Sequence, residues 1–214
     1  MKHTIGKLFS LMIIVGLMLS ISPLNAQDMT ENEKNLIAFL KKYTAKKYPN
    51  RDFSKPFLYV SIQSQCMYWI QDWSIEEAYT ISAAAHGAGN IKNSNQTPVG
   101  LHTVKEKFGD DVPWGGIMKS RRYIGRVAKV YTDRTDVKED YVTTRILRLT
   151  GEEPGINKGG NVDSYERYIY IHGTPEEGLL GNPASHGCIR MRNAEVIELY
   201  NKTPKGTMVL MLDQ

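Results

Sequence analysis

Two histidines and a cysteine lie close together in the C-terminal part of the chain, and their side chains are of the types that carry out acyl transfer. His172, His186 and Cys188 fall within 17 positions of the 214-residue sequence. A thiolate can attack an acyl carbon, a histidine can take the thiol proton and return it to the leaving amine, and backbone N–H groups can hold the oxyanion. The cluster therefore predicts nucleophilic catalysis by Cys188.

The residues that follow the cysteine favour an activated thiol. Gly187 allows a close approach of the backbone, and a helix is expected to begin just after Asn193, where free N–H groups attract negative charge. Arg190 and Arg192 lie two and four positions after Cys188 and are expected to lower its pKa. This local sequence predicts a reactive cysteine rather than an inert one.

Two other interpretations of the cluster stay open on spacing alone. His172, His186 and Cys188 could bind zinc, although no fourth protein ligand and no glutamate base accompany them. They could also be a buried cysteine and two hydrogen-bonded core histidines with no chemical role.

The elements that must position these residues are mainly strands. A helix is predicted over residues 28–48, where Thr30 can cap with Glu33, and a second over residues 194–200 with Asn193 as its N-cap. Period-two patterns and turn residues predict strands at residues 57–70, 75–84, 101–105, 128–131, 145–149, 168–171 and 207–212. Strands and helices do not alternate, so we expect a β-sandwich or barrel with a few short helices, preceded by an N-terminal helix.

The first 26 residues have a composition of their own. Lys2 and Lys7 lie in a short head that precedes an apolar run of about a dozen residues. This run is shorter than the roughly 20 residues that cross a bilayer. Ala26 is a small residue suited to cleavage by a signal peptidase. The segment predicts export to the periplasm or cell envelope, with an uncleaved anchor as the alternative. The predicted organisation is a signal peptide (1–26), an N-terminal helix and connector (27–55) and a catalytic domain (56–214).

Charge and cysteine content exclude other classes of protein. The net charge is +4, and removal of the two signal-segment lysines lowers it to +2, which argues against a nucleic-acid binder. The basic cluster at residues 119–126 is interpreted as a solvated face. Cys66 lies in an alternating strand pattern and is expected to pack in the core, so no disulfide with Cys188 is predicted.

The motif around the cysteine resembles a known family. His172-Gly173-Thr174, followed by Ser185-His186-Gly187-Cys188 with Arg190 and Asn193, closely resembles the signature of the L,D-transpeptidase (YkuD-like) catalytic domain. Residues 58–70, the turn Thr97-Pro98-Val99-Gly100 and residues 168–172 also resemble parts of that domain. The resemblance covers residues 56–213.

This resemblance implies a role for each residue of the motif. Cys188 matches the nucleophile, and His172 matches the general base, whose second ring nitrogen would be held by the carbonyl of Gly173, where the family often has serine. His186 would shape the site, and Ser185 would orient it. The N–H groups of Gly187 and Cys188 would contribute to the oxyanion hole. Arg190 and Arg192 would face the anionic stem peptide.

The resemblance also implies a reaction. An exported cysteine acyltransferase would attack the third residue of a peptidoglycan stem peptide, expel the terminal D-amino acid, and pass the acyl group from a Cys188 thioester to an amine of a neighbouring stem. A thiol L,D-carboxypeptidase or endopeptidase and a non-catalytic wall-binding module are the alternatives. No metal, organic cofactor or nucleic acid is implied, membrane contact is expected only through the signal segment, and carbapenems are expected inhibitors.

Overall fold

The computed structural model describes residues 29–137 and 139–214, so the predicted signal segment lies outside the described residues. Within this part of the chain the elements are α1 (Glu31–Lys47), β1 (Phe57–Ser61), β2 (Cys66–Gln71), β3 (Ser74–Thr80), β4 (Gly100–Phe108), β5 (Gly116–Lys119), β6 (Arg122–Val127), β7 (Val142–Gly151), β8 (Tyr170–Gly173), β9 (Ile189–Met191), α2 (Asn193–Lys202) and β10 (Met208–Leu212). No helix among the described residues is both long and apolar enough to cross a membrane.

All the named strands belong to one sheet. Its main path runs β3-β2-β1-β10-β4-β7-β5-β6, and β8 joins through β7 and in turn pairs with β9. The β1–β10 and β8–β9 pairs are parallel, and the other pairs are antiparallel. The prediction of a mainly β fold with an N-terminal helix is confirmed.

The sheet is covered on both faces, and the alternation of side chains explains how. In β1, Phe57 and Tyr59 contribute to a cluster that contains Leu40 of α1, whereas Leu58 and Val60 contribute to a second cluster that contains Leu199 of α2. Successive side chains of a strand point to opposite faces, so a strand that is apolar throughout can bury both. This second cluster also receives one face of β8 and β9, the strands that carry the candidate site.

The N-terminal helix begins and ends close to the predicted positions. Thr30 and Glu33 form the expected reciprocal capping box. Ile37 and Leu40 are buried against the sheet, and each burial contributes about 1.5–3 kcal/mol. The Tyr48 hydroxyl donates a hydrogen bond to Glu153 Oε1 at 2.8 Å. The helix therefore packs on the sheet as part of the same folded unit.

Several predicted strand boundaries were wrong. The run over residues 57–70 is two strands, because Gln65 has a left-handed backbone (φ 51°) and donates from its side chain to Ile62 O at 2.5 Å, which closes a turn. The strand predicted at residues 128–131 is absent, and the hairpin β5–β6 lies just before it. Tyr168 precedes β8, also with a left-handed backbone (φ 56°), and β9 was not predicted.

The start of α2 also differs from the prediction. Asn193 is the first helical residue rather than the N-cap, and no side chain of the preceding residue caps the helix. Glu177 supplies the missing acceptor from a separate short helix, because its Oε1 accepts from both the backbone N–H and the side-chain amide of Asn193 at 2.8 Å. A distant carboxylate thus takes the place of the local cap.

Candidate active site

Two neighbouring parallel strands bring His172 and Cys188 together. His172 in β8 pairs with Arg190 in β9, so Cys188, directly before β9, lies beside Tyr170. Residues two positions apart on a strand share a face, and paired residues of adjacent strands do so too. The side chains of His172 and Cys188 therefore lie on the same face of the sheet. Ile171 and Ile189 between them point into the core beneath.

His172 is held in one tautomer. Its side chain is buried, with 1% of the residue exposed, and Nδ1 lies 2.8 Å from the carbonyl oxygen of Gly173. Since a carbonyl only accepts, Nδ1 carries the proton and Nε2 presents a lone pair. Burial lowers the pKa of His172 below its ordinary value, which keeps the ring neutral near pH 7. The contact with Gly173 that the family resemblance implied is present.

The thiol of Cys188 is protonated at rest. Its Sγ donates to the carbonyl oxygen of Tyr168 at 3.5 Å, and burial raises its pKa to about 12. Arg190 and Arg167 act in the opposite direction, but they do not outweigh the loss of water. Arg190 thus lowers the thiol pKa as expected, but burial outweighs this effect, and the expected low net pKa was wrong. A thiol in this state needs a base before it can act as a nucleophile.

Ser185 fixes the turn that leads into the cysteine. Its buried hydroxyl donates to the carbonyl of Cys188 at 2.6 Å and accepts from the N–H of Gly187 at 3.1 Å. Gly187 has φ 131°, and a Cβ there would lie 3.3 Å from the carbonyl oxygen of Gln96, so glycine is required. These contacts give Ser185 the orienting position that the motif implied.

The same turn changes the expected oxyanion hole. The Gly187 N–H already donates to Ser185, so it is not free to bind a developing negative charge. In the described part of the chain, no hydrogen-bond partner occupies the N–H of Cys188 itself. The structure therefore leaves Cys188, and not Gly187, with a backbone donor for an oxyanion.

His186 is paired with a carboxylate at the surface. Its side chain is 67% exposed, and Nδ1 lies 2.8 Å from Asp140 Oδ2. Burial disfavours the charge on Asp140, but Arg190, His172 and His186 together hold the pKa of Asp140 below its ordinary value. Sequence reasoning missed Asp140, because it lies in a polar segment with no motif and reaches the site only through the fold.

Arg190 has a different environment from the one expected. It is 3% exposed, and its two terminal nitrogens lie 2.7 Å from Asp140 Oδ1 and 2.6 Å from Oε2 of the buried Glu176. Two carboxylates therefore neutralise the guanidinium, and it does not project towards a ligand as the prediction of substrate binding required. The carboxylates satisfy a charge that would otherwise be buried without a partner.

Arg192 lies outside the group of residues around the thiol. Its side chain is 47% exposed and is 3.6 Å from Glu195 on the first turn of α2. No hydrogen bond or ion pair joins it to Cys188 or His172 within the described residues. The fold therefore separates the two arginines that the sequence placed together at the substrate, because the chain turns from β9 into α2 between them.

A buried polar network supports the carbonyl that orients His172. A Cβ at Gly173 would lie 2.6 Å from Asn193 Oδ1, so the absence of a side chain leaves room for this amide. Asn193 Oδ1 accepts from the hydroxyls of Thr143 and Thr144, and its amide nitrogen donates to the carbonyl of Thr174 at 2.7 Å. The network fixes the backbone at Thr174, directly after Gly173.

A metal centre is not formed by these groups. Among residues 29–137 and 139–214, no set of three or more histidine, cysteine, aspartate or glutamate side chains is arranged to hold a metal ion. Cys66 and Cys188 are both free thiols. The arrangement that is present is a thiol, a neutral imidazole on the same face and a backbone N–H, which are the parts needed for acyl transfer.

Residues 55–211 match the family model of the YkuD L,D-transpeptidase catalytic domain. Two curated proteins of Bacillus subtilis, each with the printed name "Putative L,D-transpeptidase", share short segments with this chain. YqjB is 51% identical over 47 residues (22% of this chain and 27% of that protein), and YkuD is 41% identical over 58 residues (25% and 35%). The matched segments thus span about a third or less of these relatives.

Solved structures were compared as well. A crystal structure of L,D-transpeptidase 3 from Mycobacterium tuberculosis, in complex with a faropenem-derived adduct, matches with a TM-score of 0.47 and 21% identity. The match covers 74% of this chain and 60% of that one.

Proposed function

The chain belongs to the L,D-transpeptidase (YkuD) catalytic domain family, and on that premise we propose that it is an exported cysteine acyltransferase that cross-links peptidoglycan stem peptides. Cys188 attacks the carbonyl of the third stem residue, and the bond to the terminal D-amino acid breaks. The resulting thioester on Cys188 is then resolved by an amine of a neighbouring stem, which restores the thiol.

One observation carries this proposal, and it is the tautomer of His172. With the proton of Nδ1 committed to Gly173 O at 2.8 Å, Nε2 is the basic nitrogen, and it lies on the face of the sheet that also carries Cys188. Because the imidazole and the thiol are both neutral at rest, Nε2 takes the Sγ proton as the sulfur attacks. The same proton then passes to the departing amine, so the imidazole is neutral again.

The oxyanion and the geometry of the turn support the same reaction. The N–H of Cys188 is available to a developing oxyanion next to the attacking sulfur. The Thr97 hydroxyl donates to the carbonyl of Gly187 at 3.1 Å, and because this carbonyl and the N–H of Cys188 belong to one planar peptide unit, the contact fixes the direction of that N–H. A nucleophile and an oxyanion donor on one residue favour attack on a carbonyl carbon.

Export and inhibition belong to the same proposal. The composition of residues 1–26 supports transfer to the periplasm or cell envelope, where peptidoglycan is found. A β-lactam presents a strained acyl carbon to the same thiol, so we propose that carbapenems acylate Cys188. The faropenem-derived adduct reported for the Mycobacterium tuberculosis protein is a property of that protein.

The test is mass spectrometry of the purified mature protein after incubation with a disaccharide-tetrapeptide, beside a Cys188→Ala control. A thioester on Cys188 together with a cross-linked dimer that lacks one terminal D-alanine supports the proposal. Tripeptide monomer without dimer identifies a thiol carboxypeptidase instead. Absence of both adduct and product contradicts acyl transfer and leaves a wall-binding module.

A further inference from the structure

The tip of the hairpin β5–β6 has an unusual composition. Ser120 and Arg121 form the two-residue turn, and both have left-handed backbone angles (φ 49° and 67°). Turns of this type favour asparagine and glycine because other residues are strained there. A long side chain at a position suited to glycine indicates that the side chain itself has a use.

The Arg121 side chain extends to the mouth of the candidate site. Its guanidinium lies 5.6 Å from the ring centre of Tyr168 and 5.7 Å from that of Phe108, and Nη1 donates to the Tyr170 hydroxyl at 3.3 Å. Tyr168 is the residue whose carbonyl accepts from the Cys188 thiol, and Tyr170 belongs to the cluster against which Cys188 packs. Arg121 is therefore held beside the nucleophile by aromatic side chains.

Among the described arginines around Cys188, Arg121 is the one whose guanidinium has neither a carboxylate partner nor backbone carbonyls that occupy its donors. Arg190 is paired with two carboxylates, and Arg148 lies 3.0 Å from Glu106. Arg167 donates to two backbone carbonyls, at 3.0 and 2.5 Å. For Arg121, the described residues provide a single hydrogen bond to a neutral hydroxyl and no ion pair.

The hairpin around Arg121 strengthens its positive field. Residues 114–131 contain five lysines or arginines and no acidic residue, and every residue of β6 is exposed. A cluster of one sign beside a cleft attracts ligands of the opposite sign. The positive charge of this hairpin therefore favours an anionic ligand in this part of the site.

We propose that Arg121 binds the terminal carboxylate of the acyl-donor peptide and so positions the donor over Cys188. This inference rests on the proposed function, in which the residue that leaves carries the α-carboxylate next to the carbonyl under attack. A guanidinium has a planar set of N–H donors that matches a carboxylate with two parallel hydrogen bonds. Arg121 thereby takes the substrate-binding role expected of Arg190.

The experiment measures binding without turnover. A stem tetrapeptide with a free C-terminal carboxylate and the same peptide with a C-terminal carboxamide are titrated into the mature Cys188→Ala protein by calorimetry. Adding Arg121→Ala is expected to weaken binding of the acid roughly 10- to 100-fold and to leave binding of the amide unchanged. Arg122→Ala, which removes an exposed charge next to the turn, is the matched control and should change neither.

A second variant separates binding from folding. Arg121→Gly places in the turn a residue that adopts its backbone angle without strain, so the hairpin should remain at least as stable to heat. It should still lose the preference for the acid. Arg121→Lys keeps the charge but not the planar donors, and we expect an intermediate preference.

Three outcomes would overturn the inference. In the first, the Cys188→Ala protein that retains Arg121 binds the carboxylate and carboxamide peptides with equal affinity. In the second, Arg121→Ala weakens the binding of both peptides equally. In the third, Arg122→Ala weakens the binding of the carboxylate peptide as much as Arg121→Ala does. Acyl transfer by the unmodified protein is measured separately. A preserved preference for the acid without any acyl transfer would contradict the proposed reaction and not the carboxylate site.

Discussion

Residues 29–137 and 139–214 contain two deeply buried histidines with similar surroundings. His102 in β4 and His172 in β8 are both almost fully inaccessible. In each, Nδ1 donates to the carbonyl of a glycine, at 3.0 Å to Gly100 and 2.8 Å to Gly173. Burial lowers the pKa of both rings, to about 4 for His102. Neither burial nor the direction of the pKa shift tells them apart.

The difference lies at the second ring nitrogen. Nε2 of His102 accepts from the Ser164 hydroxyl at 2.8 Å, so both nitrogens of that ring are bonded. No group of the described residues bonds Nε2 of His172, and this nitrogen lies on the face of Cys188. An unused hydrogen-bonding position next to a nucleophile, rather than a perturbed pKa, marks the histidine that is able to move a proton.

The largest expected difference between the two histidines is in the rate of Cys188 acylation when each is replaced by glutamine, which cannot act as a base. His172→Gln is expected to slow acylation of Cys188 by a carbapenem about 10²- to 10⁴-fold, because the thiol then has no proton acceptor. His102→Gln should leave the rate within about threefold, since both nitrogens of that ring are bonded and neither is free to take the thiol proton. Stopped-flow fluorescence measures both rates, and equal effects of the two substitutions would erase the distinction.

His102 should affect how the free energy of unfolding depends on pH in the acid range. The folded-state pKa of His102 is about 4, below the ordinary value of 6.5, so the unfolded chain binds the proton more tightly. Its contribution is complete above pH 6.5, is lost as the pH falls towards 4, and amounts to about 3 kcal/mol. In urea titrations at pH 7 and pH 4, His102→Gln should therefore lose less stability than the wild type. A variant with the same pH dependence as the wild type would contradict this role.

The glycine beside His172 gives a third, smaller effect. In Gly173→Ala the new Cβ would lie 2.6 Å from Asn193 Oδ1, and relieving this contact should cost about 1–3 kcal/mol and move the carbonyl that orients His172. Urea unfolding and the acylation rate report the two consequences. Adding Asn193→Ala should restore part of the stability through a favourable coupling, and strictly additive effects would show that the two positions do not touch.

The smallest expected effect is on stability, when His102 loses the hydrogen bond at Nε2 that distinguishes it from His172. Ser164→Ala removes the partner of His102 Nε2 and leaves a buried acceptor without a hydrogen bond, which should cost about 1 kcal/mol of unfolding free energy. The acylation rate should stay the same, because the proposed proton acceptor is Nε2 of His172 and not His102. A change in rate would show that His102 influences the site.

The compact motif of the sequence pointed to Cys188 as a nucleophile candidate, and the family that this motif resembles singled out His172 and its contact with Gly173. The sequence did not indicate Asp140 or Arg121, which lie in separate segments and approach the site through the loop before β7 and the hairpin β5–β6. It also assigned Arg190 to the substrate, although Asp140 and Glu176 take up its charge. The sequence showed the arginines close to Cys188, but it did not show which distant carboxylates pair with them.

What the sequence determined by itself was the local structure: the strand that carries His172, the tight turn before Cys188 and the alternating apolar residues that require a covered sheet. These depend on backbone preferences and on the period of the side chains, which neighbouring residues set. Tertiary structure decided that Nε2 of His172 has no hydrogen-bond partner among the described residues and that Arg121 forms no ion pair there. It also decided that the pKa of the Cys188 thiol rises. Those properties depend on desolvation and on partners distant in sequence, and only the folded chain brings such partners together.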